Sequence, residues 1–250
     1  MTVERPATPG ALVRVRTSDG LLAARLVARN GTHAEVALVA RGALLLGGDH
    51  AVLGVRVEAG CALTLTDVGG TVAYDGEGRP CRWDTDLRLG AGASLDWAGL
   101  PFVVAAGADV RRTTTARLGA GARLTLRETV VLGRAGERGG DLVLRTEAAD
   151  DAGPLLVEEL RASGERPVPG VLGDHPVIDT VTTLHGSPGD EGSAGHDLTG
   201  RHSAGDATAG HGPRLGDAVV LRLERGGTLT RWLGPATHLS PLDPPRPAGP

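Results

Sequence analysis

Aromatic side chains are scarce in this 250-residue chain, where three Trp, one Tyr and one Phe make up 2% of the residues. Surfaces that bind sugars or single-stranded nucleic acid need several stacked rings, so both are disfavoured. Lysine is absent, and the 26 basic residues, all arginine, are outnumbered by 30 acids to give a formal net charge of −4. Without a basic surplus there is little to attract phosphate backbones or acidic lipid, and no nucleic-acid or membrane partner is expected. No segment reaches the ~18 consecutive apolar residues of a membrane helix, and the N-terminal MTVERPATPG lacks the basic-then-apolar pattern of an export signal. Cys61 and Cys81 are too few for a disulfide framework or a thiolate metal cage. The expectation is a soluble cytoplasmic chain, with one domain as the default for this length.

Glycine is abundant at 39 residues, and the apolar residues are mostly Val, Leu and Ala in short runs between glycines. A weak repeat runs through them as RVEAGCALTLTD (56–67), RLGAGASLDWAG (88–99) and RLGAGARLTLRE (117–128), with a worn fourth copy, RLERGGTLTRWL (222–233). Apolar residues alternate within the first three copies, as in Leu118, Ala120, Ala122, Leu124 and Leu126, and a period of two means strand. The Ala-Gly in the middle of each copy marks a tight turn or bulge. Segments 68–87 and 99–116 show no 3.6-residue period, which argues against strands joined by helices. The fold class implied is all-β, a solenoid-like stack of short antiparallel or mixed strands with at most a few short helices.

The same alternation carries three acids onto the inner face. Glu128 is in register with Leu124 and Leu126, Asp67 stands at the matching place in the first copy, and Asp49 shares the phase of Leu53, Val55 and Val57. Unpaired interior carboxylates are costly, so each must sit at a strand end, be paired with an arginine such as Arg134, or line a wet passage. Carboxylate oxygens in such a passage suit hard and borderline divalent cations, which makes Asp49, Asp67 and Glu128 candidate transient metal contacts. Arg134 and Glu137, in LGRAGERGG, are assigned to a turn that follows the strand, because no helical pattern comes next to offer an N-terminus to phosphate.

Motifs for catalysis are lacking. There is no G-x-S-x-G and no H-E-x-x-H, and GGDHAVLG lacks the Lys and Ser/Thr of a phosphate loop. His175 and His185 have no second His at i+2 or i+4 and are taken as loop or packing residues. Residues 1–185 together with 215–235 form a single expected β domain. The Gly/Ser/Ala/Asp tract 186–214, with His196, His202 and His211, is expected to be a disordered loop, and 236–250 a mobile proline-rich tail.

Four stretches, in order, resemble the urease accessory protein UreD family, also called UreH. They are the GGD of Gly47, Gly48 and Asp49; LTDVGGTVAY (65–74), similar to L-T-T-Q-x-x-T-K-V-Y; LDWAGLPFVVAAGA (95–108), similar to L-E-W-L-P-x-P-x-I-x-F-x-G-A; and ETVVLGRAGERGG, similar to E-x-x-x-L-G-R-x-x-x-G-E. Departures include Asp67 for a Thr, Val68 for a Gln, Val72 for a Lys and Ala105 for a Phe.

The resemblance implies a non-catalytic maturation factor, all-β and solenoid-like. It implies binding to the urease apoprotein, recruitment of the nickel-delivering GTPase UreG through the accessory protein UreF, and passage of Ni²⁺ through an interior tunnel. No permanently bound cofactor is implied. Two other readings stand beside it: a β-solenoid polysaccharide-active enzyme, which the scarcity of aromatics opposes, and a pure interaction scaffold with its acids in salt bridges.

Overall fold

The computed structural model describes residues 1–8, 10–188 and 217–242. In chain order the strands are β1 (Thr2–Glu4), β2 (Arg14–Arg16), β3 (Leu22–Arg29), β4 (His33–Ala40), β5 (His50–Val57), β6 (Ala62–Asp67), β7 (Thr71–Ala73), β8 (Cys81–Leu89) and β9 (Ser94–Ala98). They continue as β10 (Phe102–Val104), β11 (Asp109–Leu118), β12 (Arg123–Leu132), β13 (Asp141–Asp150), β14 (Gly153–Ser163), β15 (Val177–His185), β16 (Val219–Arg222) and β17 (Gly227–Gly234). A single 3₁₀ turn, Thr237–Leu239, is the only helical element among the described residues. The chain is all-β.

The repeat explains the architecture. Each of the first three copies is a strand, a turn and a second strand: β5 to β6, β8 to β9, and β11 to β12. The first strands pair in parallel in one sheet, of order β14-β13-β11-β8-β5-β1-β2. The second strands pair in parallel in a facing sheet, whose main path is β16-β17-β15-β12-β9-β6-β4-β3. Every copy is therefore an arch that crosses from one sheet to the other, and the arches stack as solenoid coils do. Gly60, Gly92 and Gly121 close the arches with φ of 63°, 61° and 63°, the left-handed region that the Ala-Gly step predicted. Stacking is tight at the glycine before that step, where a Cβ on Gly90 would lie 2.6 Å from the Ala59 nitrogen. The fourth copy differs: β16 and β17 form an antiparallel hairpin within one sheet.

Two further departures concern chain segments. Gly186–Pro188, assigned above to a disordered loop, are described and tied down: Ser187 donates through both its N–H and its Oγ to Asp150, at 2.9 and 2.8 Å. Residues 189–214 of that tract lie outside the described residues. The first part of the expected mobile tail packs, because Leu242 is buried with Val177, Ala218 and Trp232, and Ser240 Oγ donates to Asp179 at 2.5 Å. Residues 243–250 lie outside the description.

Candidate functional site

The apolar interior is divided in two. One cluster, around Val57, Leu63, Leu87, Leu95, Leu118, Leu124 and Leu184, fills the end near the arch turns. The other, around Ala51, Cys81, Trp83, Phe102, Val110, Val130, Leu142 and Ile178, fills the opposite end. Between them runs a polar row that ends at Leu53, the apolar partner of Thr85 on β5. In the first sheet Thr85, Thr114, Thr146 and Glu158 fall in one register row. In the facing sheet Glu128, Thr180 and Arg231 do the same.

Two ion pairs cross this belt from sheet to sheet. Arg112 donates to Glu128 Oε1 from Nε at 3.1 Å, with Nη2 at 3.0 Å from the same oxygen. The two residues are only 8% and 7% exposed. The Arg112 guanidinium also lies 4.9 Å from the centroid of the Phe102 ring and 5.5 Å from that of Trp83, a cation–π arrangement on two faces. At the other end Arg231 grips Glu158 with two bonds of 2.8 and 2.7 Å and donates to Thr180 Oγ1 at 3.1 Å. Both Arg112 contacts fall on Oε1, and among the described residues Glu128 Oε2 accepts no hydrogen bond.

Asp67 stands at the edge of the belt because β6 breaks there. Gly70 and Gly99 let the chain pass at the break: a Cβ on Gly70 would sit 2.7 Å from the Pro101 carbonyl oxygen, and one on Gly99 2.6 Å from that of Arg127. The Asp67 carboxylate holds the junction together, accepting from Trp97 Nε1 at 3.1 Å and from the Leu100 N–H at 3.0 Å. Burial pushes its pKa above the ordinary carboxylate value, while those two donors and the charge of Arg112 pull the other way.

The three acids read as inward are thus not all together. Asp67 and Glu128 share the belt through Arg112. Asp49 keeps the inward phase but belongs to a turn, its Oδ2 accepting from the Leu46 N–H at 3.0 Å. The preceding glycines serve that turn as well, since Gly48 has φ of 91° and a Cβ on Gly47 would meet Gly76 at 2.6 Å. The arginine beside Glu128 is Arg112, not Arg134. Arg134 instead binds Glu137, with Nη2 2.6 Å from Oε1, and Glu137 Oε2 accepts the N–H groups of Ala106 and Arg134 at 3.2 and 3.1 Å. These donors hold the Glu137 carboxyl down at about 2. His175 lies in a loop that borders a cavity of about 350 Å³ lined also by Glu137, Arg138 and Asp174. His185 ends β15 as an exposed residue.

Sequence reading missed Arg112, Asp150 and Asp179. Arg112 was within reach, because stepping back by twos from Leu118 through Ala116 and Thr114 arrives at it. Asp150, buried, collects Ser187, the Ala152 N–H and Arg225, the last at 2.7 Å, and these donors hold its carboxyl well below the ordinary range. Asp179 lies on the outer face of its sheet, where solvent was expected; the 236–242 segment covers it, and Arg127 and Thr129 bind it at 2.7 and 2.9 Å.

No group of three or more His, Cys, Asp or Glu residues that could hold a metal occurs among the described residues. The belt carries carboxylate oxygens, salt bridges and hydroxyls. No described helix is long and apolar enough to cross a membrane.

A family model for the UreD urease accessory protein matches residues 3–239. Among curated proteins, urease accessory protein UreD 1 of Streptomyces griseus is 42% identical over 190 residues, 75% of this chain and 74% of that protein. Urease accessory protein UreD 3 of the same organism is 32% identical over 251 residues, 98% of this chain and 85% of that protein. A third, urease accessory protein UreD 2 of Saccharopolyspora erythraea, is 36% identical over 162 residues, or 63% and 57% of the two chains. With its two-sheet stack of arches and a match across nearly its whole length, the chain belongs to the UreD urease accessory protein family.

Proposed function

We propose that this chain is a cytoplasmic, non-catalytic urease maturation factor. It binds the urease apoprotein, brings UreF and UreG to it, and lets Ni²⁺ cross its interior along the polar belt. The observation that carries this reading is the row Thr85, Thr114, Thr146 and Glu158 facing Glu128, Thr180 and Arg231 between two dry clusters. A sandwich of this size is more stable with one continuous apolar core, so a buried polar seam calls for another purpose. Asp67 and Glu128 supply carboxylate oxygens on the path; Asp49 marks a turn away from it.

The scaffold reading has its own support, because Glu128 is already neutralised by Arg112. Replacing Thr114 and Thr146 together by Val separates the two. Side-chain shape is nearly kept, the fold and the complex with urease and its accessory proteins are expected to persist, and nickel-dependent urease activation is expected to fall several-fold. Undiminished activation by a folded, assembling double variant would reject the path.

A further inference from the structure

The belt has one feature that a cation passage would not need: a cation of its own. Arg112 is almost fully buried, binds the carboxylate that is the best interior ligand, and is held on its other faces by Phe102 and Trp83. We propose that Arg112 is the selectivity residue of the passage, a resident monovalent cation that only a divalent ion can displace from Glu128. The inference rests on the nickel-path reading above and deepens it.

Three observations support it. First, the guanidinium contacts Oε1 twice and leaves Oε2 without a partner among the described residues, so an approaching ion meets a half-open carboxylate. Second, Arg112 has somewhere to go. Its charge already acts on Asp67, whose own hydrogen bonds come from neutral donors, Trp97 and the Leu100 N–H. An arginine displaced from Glu128 keeps the charge of Asp67 and the Phe102 and Trp83 rings as partial compensation. Third, Coulomb's law ranks the competitors. At equal distance a divalent ion gains twice what the guanidinium gives up, whereas Na⁺ or K⁺ only matches it; since a divalent ion also holds its water more strongly, its surplus counts when it passes with most of its hydration shell kept. The belt then disfavours monovalent ions relative to divalent ones, with Glu128 presented only on exchange.

The test uses the full chain and nickel chloride, with binding followed by equilibrium dialysis and by the shift in thermal midpoint, in low salt and with added NaCl. Arg112→Gln is expected to bind Ni²⁺ about 10-fold or more tightly than wild type, since a unit charge at contact distance is gone. NaCl is expected to compete in the variant far more than in wild type, and Arg112→Gln/Glu128→Gln is expected to lose the gain. Arg112→Lys keeps a cation beside Glu128 and guards against misfolding; it should fall between wild type and Arg112→Gln. Equal affinities in wild type and Arg112→Gln, or a gain that survives Glu128→Gln, would overturn the proposal. Urease activation by the same variants reports separately on the path: binding that changes as expected while activation stays constant leaves Arg112 as the cation competitor and removes the conduit.

Discussion

Replacing Glu128 by Leu is expected to destabilise the protein even though Leu restores the apolar alternation of β12. The substitution removes both contacts of Arg112 with Oε1 and leaves a guanidinium that is 8% exposed without its carboxylate. Breaking a buried pair in this way costs about 3–5 kcal/mol, because the surviving charge remains desolvated. The Phe102 and Trp83 faces, each able to offset ~0.5–2 kcal/mol, and the nearby Asp67 move the expectation toward the lower end, about 3 kcal/mol. For a domain of this size that corresponds to a fall in thermal midpoint of roughly 6–12 °C. Arg112→Met is expected to cost a similar amount by stranding Glu128. Arg112→Met/Glu128→Leu, which removes both charges and keeps comparable volume, should return to wild-type stability or exceed it. Denaturant unfolding of the four proteins gives the coupling energy directly. A Glu128→Leu variant within about 1 kcal/mol of wild type, or a coupling below that, would refute the placement of a desolvated ion pair in the belt.

Asp150 gives a pH prediction. Its carboxyl is held low by Ser187, Arg225 and the Ala152 N–H, so its folded-state value lies below its unfolded one. The stability it contributes is complete above the unfolded value of about 3.9 and erodes as pH falls below that toward the folded value. The Ser187 amide resonance should therefore hold its position as the sample is acidified through about pH 4, where an ordinary aspartate titrates, and Asp150→Ala should show a shifted position already at neutral pH; a resonance that titrates at about pH 4 or above would contradict this. Gly90→Ala should destabilise by roughly 1–3 kcal/mol, since a Cβ there would lie 2.6 Å from the Ala59 nitrogen, within backbone that cannot yield cheaply. Unchanged unfolding of Gly90→Ala would mean that the arches do not stack as closely as described.

The alternation and the Ala-Gly steps were enough to read stacked strands interrupted by a tight turn or bulge from sequence, because both have a direct backbone cause: side chains alternate across a pleat, and only glycine takes φ near +60° without strain. The hairpin of the fourth copy was less legible. Its ERGGT turn places Gly226 and Gly227 at φ of 88° and 117°, which folds the chain back within a sheet instead of across to the other. Phase also told correctly that Glu128 faces inward, but not what it meets. Its partner comes from β11 in the facing sheet, sixteen residues away in sequence, and no local pattern pairs the two. Asp49 shows the limit of phase from the other side: at a strand end the turn, not the pleat, decides what the side chain binds. Asp179 was invisible for a third reason, since its burial depends on a segment that returns from the far end of the chain to cover it.

Energetics distinguish the belt from an accident of packing. An isolated interior ion pair is common enough as a relic that little should be built on one. Here two pairs, Arg112–Glu128 and Arg231–Glu158, connect the same two sheets, and the buried threonines Thr85, Thr114, Thr146 and Thr180 lie in their rows. The threonines and the Arg112–Glu128 pair are buried, and the Arg231–Glu158 pair half-buried, where the neighbouring positions along the same strands, such as Leu87 and Trp83 on β8 or Leu126 and Val130 on β12, are apolar. A protein that served only as a scaffold would present its partners with outer faces, and the outer face of the first sheet already carries such chemistry, with Arg145, Glu147, Glu159 and Arg161 joined in exposed salt bridges. An interior seam adds nothing to that surface and lowers the stability of the core beneath it. The proposed passage of a cation is a role that uses the seam itself, and carboxylate oxygens held by arginine across the two sheets are chemistry that fits it.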